Sequence, residues 1–167
     1  MNKKILNIVL FQPEIPFNTG AIGRTCVGLG AKLWLVRPLG FQLDDRHVKR
    51  CGLDYWERLD WEAVNDWEEL KRKLPCLDRY FFFTKKATKS YLDQKFQAGD
   101  VLVFGSETRG IPDSFHEKYA GQRLRIPICE EARCLNLSVS VGVGAFEAIR
   151  QIHATATPAA GIGSEPS

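Results

Sequence analysis

The first 36 residues restrict the fold more than any other stretch. Leu6-Asn7-Ile8-Val9-Leu10-Phe11 is a mostly apolar run of strand length. Pro13, Pro16 and Asn18-Thr19-Gly20 follow it and mark a structured loop. Asn18 is predicted to cap a helix reaching about Leu29, its side-chain oxygen accepting from the free amides of the first turn, and Gly30 is predicted to end that helix. Lys32-Leu33-Trp34-Leu35-Val36 gives a second strand. A β-loop-α-β unit of this kind builds an α/β fold with a mostly parallel sheet flanked by helices.

Further along, 44–74 reads as mostly helical, with Trp56, Trp61 and Trp67 as packing anchors and 66–73 as an exposed helix laced with opposite charges. Strands are predicted at 79–84, 101–104 and 123–128, with a short helix opened by proline at 112–119. Strict alternation and β-branching over 137–144 argue for a strand, whereas the continuation over 145–150 argues for a helix. After Gln151 little remains to bury. With 167 residues, 44% hydrophobic and 26% charged, the expected organisation is one domain over 1–153 and a disordered tail over 154–167.

The charge balance is modest, 23 Lys+Arg against 20 Asp+Glu for a net +3, so RNA cannot be held by bulk charge. Any such contact has to come from local clusters: Lys3 and Lys4, then Arg46, Lys49 and Arg50, and the run Thr84-Lys85-Lys86-Ala87-Thr88-Lys89. Five cysteines (Cys26, Cys51, Cys76, Cys129, Cys134) form no CxxC pair, so neither a disulfide framework nor a zinc site is expected. Reduced thiols and the lack of an export-type apolar run near the N-terminus point to a cytoplasmic protein with no membrane partner; no DNA partner is expected either.

Three segments carry the chemistry, each a strand running into a loop of glycine, proline and small polar residues. They are Asn18-Thr19-Gly20-Ala21-Ile22-Gly23-Arg24-Thr25, Phe104-Gly105-Ser106-Glu107-Thr108-Arg109-Gly110-Ile111-Pro112, and the run from Ile126 through Cys134-Leu135-Asn136-Leu137-Ser138. Loops at the carboxyl ends of parallel strands line ligand sites, and glycine lets main chain approach a ligand closely. GxxxxGK[ST] is absent, as is GxGxxG after the first strand, which disfavours phosphate-cradling and dinucleotide loops.

In combination and order these segments resemble the SPOUT-class RNA ribose 2′-O-methyltransferases, in particular their small TrmL (YibK-like) branch. Pro13-Glu14-Ile15-Pro16-Phe17-Asn18-Thr19-Gly20, Pro38-Leu39-Gly40-Phe41, Gly52-Leu53-Asp54-Tyr55, Phe104-Gly105-Ser106-Glu107-Thr108-Arg109-Gly110 and Cys134-Leu135-Asn136-Leu137-Ser138 carry the likeness, over about residues 5 to 151. The resemblance implies a single-domain SPOUT fold with a C-terminal trefoil knot, and it makes 136–151 helical in place of the local strand reading. Gly142, Gly144 and Ala145 would then permit close helix packing, either at a homodimer interface or within one subunit.

Carried over by position, the resemblance implies S-adenosylmethionine as methyl donor and no metal. Phe83, Gly105, Glu107, Ile126, Cys134 and Leu135 would hold the donor, and Asn18, Arg24, Arg109 and Asn136 would meet the substrate. Glu107 would bond donor or substrate hydroxyls, or pair with Arg109. Arg24 is the residue assigned to the reaction, reaching the donor across a dimer interface. Arginine is not deprotonated in proteins, so Arg24 is read as a phosphate-gripping, charge-stabilising group, and the general base is left open.

The implied reaction is methylation of the ribose 2′-hydroxyl of the wobble nucleotide, cytidine or uridine 34, in a tRNA anticodon stem-loop. A non-catalytic knotted RNA-binding protein and a ribosomal RNA 2′-O-methyltransferase are the alternatives. Three positions depart from many relatives: Ser106 for proline, Val139 for asparagine and Phe146 for tyrosine.

Overall fold

The computed structural model describes residues 4–43 and 55–156. Within them, strands β1 (Leu6–Phe11), β2 (Lys32–Val36), β3 (Trp61–Val64), β4 (Tyr80–Phe83), β5 (Asp100–Phe104) and β6 (Arg123–Leu124) form one sheet in the order β3-β2-β1-β5-β4-β6. Every adjacent pair is parallel. The helices are α1 (Pro16–Leu29), α2 (Trp67–Lys73), α3 (Asp113–Lys118) and α4 (Leu137–Ala156).

Side chains alternate across the sheet and so divide the core in two. Leu6, Ile8, Leu10, Leu33, Leu35, Phe81, Phe83, Leu102 and Phe104 face α1 and α4, meeting Ile22, Cys26, Val141, Ala145, Ala148 and Ile149. Val9, Trp34, Val36, Tyr80, Phe82, Val101 and Val103 face α2 and α3, meeting Trp67, Leu70, Phe115 and Tyr119. The polar residue inside β1 is satisfied, since Asn7 Oδ1 accepts from the Trp34 indole at 3.0 Å. The fold is the α/β architecture expected from the sequence, a parallel sheet covered on both faces.

Several local expectations need correction. Trp61–Val64 is a strand paired with β2, not part of a long helix, because its residues complete the sheet edge beside Leu33 to Val36. The rest of the expected helix over 44–54, including Arg46, Lys49, Arg50 and Cys51, lies outside the described residues, as does Lys3. The helix over 66–73 is present, capped by Asp66, which accepts from the Glu69 amide at 2.8 Å. Strand β6 stops at Leu124, three residues before Pro127, and leaves 125–136 as a loop.

The segment 137–144 is helical, as the family resemblance implied and the local alternation did not. Its helix continues to Ala156, beyond the expected end at Gln151, because Ile152 is still core. The remainder of the expected tail, 157–167, lies outside the described residues. Gly144 explains why α4 can lie so close to the sheet: a Cβ there would stand 2.8 Å from the Phe83 ring. Gly144 and Ala145 therefore serve packing within the subunit, whereas a Cβ at Gly142 would meet nothing within 4 Å.

Candidate functional site

The chain order reverses between β1 and β5, neighbours in the sheet whose following loops diverge, and such switch points are where open parallel sheets bind ligands. A cavity of about 450 Å³ opens there, at the carboxyl ends of β5 and β4. Its volume is that of a small-molecule site. All three segments singled out from the sequence contribute to its wall, although the first does so only through Asn18, joined there by Ile15 just upstream.

The loop after β5 is tightly folded. Ser106 and Gly110 exchange main-chain hydrogen bonds at 3.2 and 2.8 Å, and Gly110 turns through φ 68°. Gly105 sits against the return of this loop so closely that a Cβ would lie 2.0 Å from the Gly110 carbonyl carbon. Ser106 is compatible with this turn; its Oγ accepts from the Arg109 amide at 3.3 Å and its own N–H belongs to the paired bonds.

Glu107 joins this loop to the start of α1. Its carboxylate accepts from the Glu14 amide at 2.7 Å, the Ile15 amide at 3.1 Å and Asn18 Nδ2 at 3.1 Å. Asn18 Oδ1 accepts in turn from Asn136 Nδ2 at 3.0 Å, and Asn136 Oδ1 accepts from the Ser138 amide and hydroxyl at 2.8 and 2.6 Å. Four side chains distant in sequence thus tie β1–α1, the β5 loop and the start of α4 into one polar chain. The carboxylate also sits at a helix N-terminus, where the dipole favours negative charge.

This arrangement corrects two expectations. Asn18 is not the cap of α1: Pro16 starts the helix two residues earlier and Ile15 caps it without a side-chain bond, while Glu107 accepts from the Glu14 and Ile15 amides that lead into it. Glu107 does not pair with Arg109, whose described acidic neighbour is Glu14 at 3.9 Å with the arginine side chain 75% exposed.

Phe83, Gly105, Glu107, Ile126, Cys134 and Leu135 all line the cavity, together with Asn18, Arg109 and Asn136. Phe83 stacks on Phe104 with centroids 4.7 Å apart, giving one wall an aromatic floor. Arg24 is not in the wall. It is exposed on the outer side of α1, its guanidinium carbon 4.7 Å from the Tyr55 ring centroid.

Sequence reasoning missed the β4 loop and α3 as parts of the site. Thr84, Lys85, Lys86 and His116 also line the cavity. The signal was available: a polar, basic run immediately after a buried aromatic strand is another strand-end loop. Lys86 pairs with Asp113 at 2.9 Å and Lys89 bonds Gln94 at 2.7 Å, which leaves Lys85 as the member of that cluster at the mouth with no ion pair among the described residues. Burial first, then the charges of Lys86 and Arg123, hold the His116 imidazole below its ordinary value.

Val139 and Phe146 are exposed on α4 and line no part of the cavity. The start of α4 is capped by Asn136, which accepts from the Ser138 amide and hydroxyl, without help from residue 139. Among the described residues, no cluster of His, Cys, Asp or Glu is arranged to hold a metal, and no helix is long and apolar enough to cross a membrane.

A tRNA (cytidine(34)-2′-O)-methyltransferase of Burkholderia cenocepacia is 44% identical over 149 residues, 88% of this chain and 96% of that protein. The enzyme of the same name from Yersinia pestis is 44% identical over 155 residues, covering 89% and 94%. A solved structure described as giving structural insights into the 2-OH methylation of C/U34 on tRNA superimposes with a TM-score of 0.83 at 40% identity, over 93% of this chain and all of that one. Residues 5–146 match the SpoU rRNA Methylase family, and with relatives this similar along nearly their whole length the chain belongs to that family.

Proposed function

We propose that this protein is an S-adenosylmethionine-dependent tRNA methyltransferase that modifies the ribose 2′-hydroxyl of nucleotide 34, cytidine or uridine, in the anticodon loop, acting as a cytoplasmic homodimer. The observation that carries the reading is the convergence of Phe83, Gly105, Glu107, Ile126, Cys134 and Leu135, all implied donor contacts, on one cavity of about 450 Å³. The relatives named for cytidine 34 support the acceptor.

The residues present fit the donor. Phe83, Ile126 and Leu135 offer apolar surface for an adenine, and Gly105 brings main chain to the cavity with no side chain in the way. Glu107 has three of about four acceptor positions filled by protein donors, so one remains for a ligand hydroxyl. When bound, the donor supplies a methyl carbon made electrophilic by its sulfonium.

The ribose oxygen gains that methyl and loses its hydroxyl proton, so the protein must align the oxygen in line with the carbon and stabilise the charge that builds on it. Arg24 fits the second task. Because it lies outside the cavity of its own subunit, it serves the cavity of a second copy. Val139, Gly142 and Phe146 recur on one stripe of α4, with Val139 49% and Phe146 60% exposed. This apolar stripe is the surface offered for dimerisation.

Phe146→Asp is expected to give a monomer by sedimentation and to lose transfer to tRNA; a dimer that retains transfer removes α4 from the interface. The donor site has its own test in thiol labelling. Cys76, Cys129 and Cys134 are exposed, whereas burial pushes the Cys26 thiol up to about 12 and makes it inert at neutral pH. S-adenosylmethionine is expected to protect Cys134 from iodoacetamide and to leave Cys76 reactive, as read by peptide mass spectrometry. Equal labelling of Cys134 with and without donor would move the donor elsewhere.

A further inference from the structure

Helix α1 carries a single charged side chain, Arg24, and holds it out on an exposed face. An unsupported arginine there would sample many rotamers, and fixing it costs side-chain entropy. No described carboxylate pairs with it. What the guanidinium has instead is the ring of Tyr55, 4.7 Å from its central carbon.

The sequence builds this contact. One residue before Arg24, Gly23 is buried, and a Cβ there would stand 3.0 Å from Leu59 Cδ2 and 3.3 Å from the Trp56 ring. The glycine therefore allows residues 55–59 to lie directly on α1. Leu59 is buried and Trp56 packs on Trp61 with centroids 5.3 Å apart, so this segment is anchored in the core and to β3. Tyr55 stands at its start, beside the next residue of the helix.

The choice of partner matters chemically. A carboxylate would occupy the N–H fork of Arg24, the same edge needed for a phosphate or a charged oxygen. An aromatic ring engages the face of the guanidinium and leaves its five N–H donors free. A stacked arginine is thus ordered without being neutralised.

We propose that Tyr55 is a positioning residue for Arg24, a platform that holds the guanidinium with its donor edge presented to RNA and to the cavity of the second subunit. The inference rests on the reading that Arg24 acts in methyl transfer. It assigns Tyr55 no contact with donor or reacting atoms, and it makes the ring, not the hydroxyl, the working part.

The test compares Tyr55→Phe, Tyr55→Leu and Arg24→Ala in the full-length protein, with kcat and KM for tRNA, donor affinity by calorimetry and melting temperature measured for each. Tyr55→Phe is expected to stay within about two-fold of the parent. Tyr55→Leu is expected to lose about ten-fold in kcat, between the about two-fold that an exposed cation–π contact is worth and the about hundred-fold that a 1 Å misplacement costs, with donor affinity unchanged. Equal losses for Phe and Leu, or full activity for Leu beside an inactive Arg24→Ala, overturn the proposal. An active Arg24→Ala overturns the underlying reading instead, and the platform with it.

A second readout does not depend on activity. In the parent protein, the Arg24 Nε–H proton, assigned by its loss in Arg24→Lys, is expected to resonate upfield of the other arginines through the ring current of Tyr55. An Arg24 signal at the shift of a free arginine overturns the proposal.

Discussion

Arg24→Ala is expected to reduce methyl transfer to tRNA by about 10²–10³-fold, the scale of losing one preorganised charge-stabilising donor, while S-adenosylmethionine binds within about two-fold of the parent. The split follows from where the residue lies. Arg24 lies outside its own subunit's cavity and its assigned partner in the second is the acceptor RNA, not the donor, so donor affinity is expected to hold. The guanidinium stays charged at any working pH and cannot take the hydroxyl proton. Its contribution is to the acceptor, through the phosphate that orients the ribose and the negative charge that develops on the 2′-oxygen. Arg24→Lys is expected to restore only part of the loss, since a point charge lacks the planar fork. Calorimetry with the donor and a transfer assay with radiolabelled donor separate the two terms. A lost donor affinity in Arg24→Ala would contradict this role.

Gly105→Ala is the second large effect. The added methyl would stand 2.0 Å from Gly110 C, 2.2 Å from Ile111 N and 2.4 Å from Gly110 O, all main chain. No rotamer relieves such a clash, so the loop has to open and break the Ser106–Gly110 pair. The expected loss is about 3 kcal/mol of stability, a fall of about 6–12 °C in melting temperature for a chain of this size. Donor affinity is expected to fall about 100-fold, or about 2.8 kcal/mol, because Glu107 moves with the loop and releases its hold on Glu14, Ile15 and Asn18. Calorimetry and thermal unfolding check both. An unchanged melting temperature would mean that the turn is not as tight as its geometry requires.

Much of this architecture was legible because it rests on period and punctuation. The apolar runs at Leu6–Phe11 and Lys32–Val36 and the stop at Gly30 gave the opening unit, whereas the division of the core between two faces emerges only once the strands pair into the sheet. Trp61–Val64 was misread because a four-residue edge strand set among tryptophans and charges carries little period of its own, and its pairing with β2 decides its state. The stretch 137–144 misled for the opposite reason: its valines alternate as in a strand, yet Gly144 serves helix packing against Phe83. The resemblance, not the local pattern, corrected it.

The cavity wall was legible in part, without Thr84, Lys85, Lys86 and His116, and its wiring was not legible. The strand-end rule and the family motifs selected loops that do meet around one cavity. That Glu107 would bond Asn18, and Asn18 would bond Asn136, over separations of 89 and 118 residues, cannot be read from spacing. The same is true of Tyr55 beneath Arg24, which depends on a glycine making room for a segment 32 residues downstream.

The central claim is that the cavity and Arg24 together methylate one ribose. The direct test incubates the purified protein with S-adenosylmethionine labelled in its methyl group, and separately with total tRNA lacking the modification and with ribosomal RNA, then locates the label by nuclease mapping and mass spectrometry. The account predicts label in tRNA, confined to the 2′-oxygen of nucleotide 34 and absent with Arg24→Ala. Label in ribosomal RNA, on a base, or at another tRNA position would contradict it, as would a protein that binds the donor and transfers nothing.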